Sequence, residues 1–148
     1  MDQNSKISQV GQYVKDTSGE QGVEVLRTCL DILHQPMPLE SGQIFLKLER
    51  ITSSSEDLGY VIMCINTLKS KKVTEVRKIK DPQFTLLTRQ GRPSTQAVEC
   101  EIRFSNKDLY DMEQEIGILT AIEEYLRHIE KSLDRYMWLL RDKISYLK

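Results

Sequence analysis

The chain has 148 residues, 29% of them charged and 39% hydrophobic, with a formal net charge of -1. That is enough to bury a real core and too balanced for a disordered, fibrous or polycationic chain. The polar opening "MDQNSKISQV" has no apolar run behind it, and three widely spaced cysteines make neither a disulfide framework nor a zinc knuckle. We therefore expect a protein without signal peptide or membrane span, kept in an intracellular compartment, cytoplasmic or nuclear, with reduced thiols.

The charge is unevenly placed. Residues 69–104 hold nine basic and four acidic side chains, so the middle of the chain is its one basic region, flanked by acidic ones.

In chain order, Ile7, Val10 and Val14 in "SKISQVGQYVKD" stand at helical spacing, weakened by Gly11. "GEQGVEVLRTCLDILHQ" predicts a stronger helix, striped by Val23, Leu26, Leu30 and Leu33 with Cys29 beside them. "PMP" should end it, because proline cannot continue a helix and constrains the residue before it. "LESGQIFLKLERIT" reads both ways. Ile44, Leu48 and Ile51 fit a helix, and Ile44, Leu46 and Leu48 alternate like a strand; helix is the better fit. A further helix is expected from the serines of "SSSEDLGYVIMCINTLKSKK", with Glu56 and Asp57 in its first turn and lysines at its far end, as the helix dipole favours.

The pattern then changes. In "QAVECEIRF", Val98, Cys100, Ile102 and Phe104 alternate with Glu99, Glu101 and Arg103, which predicts a half-buried strand. "QFTLLTR" can pair with it across "QGRPST", whose Gly91 and Pro93 suit a turn, giving a β-hairpin over about 83–104. Val73 to Ile79 could add a third strand. Ser105, with Asp108 three residues on, has the form of a helix cap.

The final helix carries a long seam: Leu109, Met112, Ile116, Leu119, Ile122, Leu126, Ile129, Leu133, Tyr136, Leu140, Ile144 and Leu147. Its mean step is near the coiled-coil period. With Leu119 as heptad position a, the g positions Ile118, Tyr125, Leu139 and Tyr146 are also apolar or aromatic, which suits a bundle or a globular body better than a two-stranded coil. Trp138 falls at f, opposite the seam. As one helix, residues 106–147 would run for roughly 60 Å, against about 38 Å for the diameter of a compact domain of this size. Either the helix breaks at Gly117 or the overhanging seam finds another chain.

The expected fold is therefore α+β, mostly α. An N-terminal helical body with a β-hairpin insert (1–104) would precede a long C-terminal amphipathic helix (105–148). The expected function is non-enzymatic: an interaction or adaptor protein that self-associates, as dimer to tetramer, or docks another helical protein. The interface residues would be Leu119, Ile122, Leu126, Ile129, Leu133, Tyr136, Leu140, Ile144 and Trp138. The alternative is a nucleic-acid-associated factor gripping the phosphate backbone through Lys69, Lys71, Lys72, Arg77, Lys78, Lys80, Arg89 and Arg92. Aromatics for base stacking are scarce there, Phe84 being the nearest. No residue is assigned to catalysis, a metal or a cofactor. His34 and His128 stand far apart, Cys64 and Cys100 fall within apolar patterns, and no glycine-rich phosphate loop occurs.

Overall fold

A computed structural model describes residues 3–91 and 95–147, with the side chains of all but 3–8, 104, 105 and 147 among them. It has four helices in the order α1 (Gln3–His34), α2 (Ser41–Arg89), α3 (Thr95–Ser105) and α4 (Lys107–Leu147). It is 93% helical, with no strand among the described residues.

The α+β expectation and its hairpin are thus corrected. A short alternating run also contains every i, i+4 pair, and here the helical pair wins. Val98 and Ile102 are buried, Cys100 is exposed, and Glu99 and Glu101 are partly covered, which no half-buried strand would give. "QFTLLTR" forms the last turns of α2, with Phe84 and Leu87 turned towards a core and Leu86 exposed. Val73 to Ile79 lies inside the same helix. Gly91 is a helix stop rather than a hairpin turn. Its φ is 79°, and its N–H donates to the Thr88 carbonyl at 3.1 Å, the left-handed ending for which glycine is suited. Arg92 and Pro93 lie outside the described residues, as do the side chains of Ile7 and Phe104.

The expected cap at "SSS" is corrected too. α2 runs straight through it, because Ile51, Ser54, Leu58 and Val61 keep a buried stripe going at steps of three and four. Tertiary burial outweighs the weak helix preference of serine and threonine. α2 also runs through Pro82, which leaves the Lys78 carbonyl without its usual helical donor.

Other boundaries follow the sequence more closely. Within α1 the backbone breaks at Gly19, whose φ of 73° and ψ of -169° divide the element where its second stripe begins. The Pro36–Pro38 stretch ends α1 as expected. The cap of α4 sits one residue beyond Ser105: the Leu109 N–H donates to Asn106 Oδ1 at 3.2 Å. α4 is helical through Gly117.

The chain divides into two compact units, Met1–Ile65 with Ile122–Lys148, and Asn66–Ala121. α2 and α4 contribute to both. In the first unit α1 and the facing halves of α2 and α4 bury Leu26, Cys29, Ile32, Ile44, Ile51, Leu58, Ile65, Leu126, Leu133 and Leu140. The second unit closes on Val76, Val98, Ile102 and Leu109, with Ile79, Phe84, Leu87, Met112 and Ile116 packed around them.

Candidate interaction surfaces

The expected interface seam is largely enclosed by the chain itself. Leu119 is buried in the second unit, and Ile122, Leu126, Ile129, Leu133 and Leu140 are buried in the first. Ile144 is half-buried, and so is Tyr136, under the Lys47 ammonium 5.4 Å from its ring centroid. Trp138 alone of the set faces outward, 63% exposed, with the Arg141 guanidinium 5.8 Å from its ring centroid. A surface on α4 must therefore use the residues outside the seam: Trp138, Leu139 and Tyr146, the last 90% exposed.

Contacts within the first unit set the register of α2 against α4. Thr52 Oγ1 donates to Met137 Sδ at 3.9 Å, and a Cβ on Gly59 would stand 4.0 Å from Glu130 Oε2. Seven residues forward on α2 correspond to seven backward on α4, so the two helices run antiparallel. At their common end Lys143 Nζ donates to the Pro38 carbonyl at 2.8 Å, tying α4 to the connection between α1 and α2.

Sequence reasoning missed the outward face of α2. Phe45, 54% exposed, stands beside the buried stripe, and with Leu48, Glu49, Thr52, Ser53 and Glu56 it lines a shallow hollow of about 390 Å³. The available signal was Phe45 itself, a large aromatic next to Ile44 but off the Ile44–Leu48–Ile51 line.

The basic segment is partly spent on packing. Lys72 Nζ meets Glu115 Oε2 and Lys80 Nζ meets Glu113 Oε1, each at 2.8 Å. Arg103 Nε donates to Glu113 Oε2, also at 2.8 Å, so one carboxylate joins α2, α3 and α4 within the second unit. Burial alone would raise the Glu113 pKa, but the bonds and charges of Lys80 and Arg103 hold it below the usual carboxylate range. Lys69 is half-buried. Lys71, Arg77, Lys78 and Arg89 are exposed.

A second groove, between α1 and α2, is lined by Gln21, Val25, Thr28, Asp57, Tyr60 and others. Beneath it Cys29 is fully buried and its thiol donates to the Ser54 carbonyl at 3.6 Å. Burial first, and the charge of Asp57 second, push that thiol up to about 11, so it stays protonated and unreactive at neutral pH. The Tyr60 hydroxyl is raised by its hydrogen bond with the Cys64 side chain. His34 Nδ1 is engaged by the Leu30 carbonyl of its own helix at 2.6 Å, and His128 is exposed. Among the described residues no three His, Cys, Asp or Glu side chains converge as a metal ion would need. Nor is any helix there long and apolar enough to cross a membrane. No known protein family, curated protein or solved structure matches the chain.

Proposed function

We propose that this protein is a non-enzymatic interaction protein that self-associates through the outward side of its C-terminal helix. One observation carries the reading. With the α4 seam already filled by the chain's own core, large apolar side chains still stand in solvent outside it, led by Trp138 and Tyr146. Aromatic side chains of this kind supply much of the energy of protein interfaces. The titratable groups with shifted protonation fit that reading, because burial, hydrogen bonds and neighbouring charges within the fold account for each of them. The test is solution mass by light scattering on the full chain over a range of concentrations. A mass that climbs to a dimer or small oligomer is expected, and a monomer throughout rejects the proposal.

A second reading keeps the basic segment as a nucleic-acid contact. Lys71, Lys78 and Arg89 recur at steps of seven and eleven, which puts them on one exposed side of α2, with Glu75 among them. Such a contact would grip phosphates with little sequence preference and strong salt dependence. Lys71→Glu with Lys78→Glu should abolish a salt-sensitive RNA or DNA shift and leave the solution mass unchanged. An unchanged shift, or none with the native chain, rejects it.

A further inference from the structure

We propose that the occupant of the α2 hollow is the Trp138 side chain of a second copy of this chain, in a two-fold dimer whose α2–α4 faces meet. The inference rests on the self-association reading above and gives it a surface. The hollow between Phe45 and Glu56 lies in the first unit, on the outward side of α2, and Thr52 lies near its centre. Trp138 lies on the outward side of α4 in the same unit. Because Thr52 pairs with Met137 and Gly59 with Glu130, Trp138 stands level with residues 51 and 52 of α2. A two-fold axis parallel to the helices preserves that level. It therefore carries each indole over the hollow of the other copy, and the contact is self-complementary as an isologous interface must be.

Charge supports the same pairing. Glu49 and Glu56 flank the hollow, exposed and without an ion pair among the described residues. By the same register Glu49 is level with residue 140, next to Arg141, and Glu56 is level with residue 133, between Lys131 and Arg135. Asp134 and Asp142 lie on that side of α4 as well, so its row is basic by a single charge. Electrostatics therefore sets orientation, and burial of Trp138 supplies most of the affinity. Phe45 to Glu56 spans only about 17 Å of helix, so the dimer should be weak and reversible rather than obligate.

Trp138 is the sole tryptophan of the chain, so its fluorescence reports the contact directly. The experiment follows solution mass and tryptophan emission together against concentration for the full chain. Three variants accompany it: Trp138→Ala, Glu49→Lys with Glu56→Lys, and Lys131→Glu with Arg135→Glu. All of the substituted side chains are exposed, and circular dichroism checks that helicity is kept. The native chain should dimerise with a blue-shifted emission. Trp138→Ala should raise Kd about tenfold or more. Each charge-reversed chain alone should dimerise more weakly than the native chain, and an equal mixture of the two should recover the lost affinity, since both α2–α4 contacts are then complementary. A native dimer that ignores all three variants, or whose emission does not move, overturns the surface while self-association stands. A native chain monomeric at every concentration overturns both.

Discussion

Glu113 is the side chain on which the second unit turns. Its two oxygens hold Lys80 and Arg103, and so three helices meet at one carboxylate. Its pKa in the folded chain is lowered, so the unfolded state takes up the proton first as acid is added. The stabilisation is therefore complete above the ordinary carboxyl pKa of about 4.3, and is lost as the pH falls through the lowered folded value. Hydrogen bonds to charged partners of this kind contribute about 1–2 kcal/mol net, taking the low end because Arg103 is half-exposed. Glu113→Gln should cost that much at pH 7 in urea unfolding of residues 66–121. The gap to the native chain should shrink towards pH 3. A constant gap across that range would show that the carboxylate's charge is not what holds the helices.

At the scale of the element, the seam of α4 from Ile122 to Leu140 is a core stripe of the first unit, and this reverses what substitution in it should do. If Leu126 and Leu133 met another chain, aspartate at both would separate the chains and leave the fold intact. Each is instead fully buried against the chain's own helices. A carboxylate left there without a partner costs about 3–5 kcal/mol, and two exceed much of the roughly 5–15 kcal/mol that holds a domain. Leu126→Asp with Leu133→Asp should abolish the cooperative unfolding transition of the first unit. A folded chain of lower mass would refute this. The seam's period was legible because a heptad stripe marks a buried helix face whatever covers it. What covers it was not, since the cue lies on α1 and α2, far away in sequence. The apolar g positions suggested a wider buried stripe, but Ile118, Leu139 and Tyr146 stand exposed and Tyr125 is half-buried. Residues 83–104 misled for a different reason. Val98, Cys100, Ile102 and Phe104 satisfy period two, yet Val98 and Ile102 are buried while Cys100 between them is exposed, and seven residues cannot separate the two periods. The outward pair at the candidate surface was half visible: Trp138 stood out at f, whereas Phe45 was hidden beside an apolar stripe of its own.

Considered over the whole chain, the two units are unequal in what holds them. Of the buried hydrophobic side chains among the described residues, fifteen belong to the first unit, from Val14 to Ile65 and from Ile122 to Leu140. Val76, Val98, Ile102, Leu109 and Leu119 belong to the second, again among the described residues. A unit of residues 66–121 is near the size at which burial alone becomes marginal. It also contains Pro82, which removes one helical hydrogen bond from α2. Its ion pairs at Glu113 and Glu115 compensate in part, but they are sensitive to acid and salt where apolar burial is not. Opening free energies should therefore fall into two blocks along the chain. Hydrogen exchange followed by mass spectrometry should find residues 66–89 and 95–121 exchanging through an opening at least tenfold more frequent than that of the Leu126–Leu140 and Ile44–Leu58 segments. Added salt should widen the difference, because it weakens the second unit's ion pairs and leaves the first unit's core in place. Within α2 the change in protection should fall near Ile65, in the middle of one continuous helix. Uniform protection along α2 would mean that the helix opens as a single body, and that the two cores are one cooperative structure.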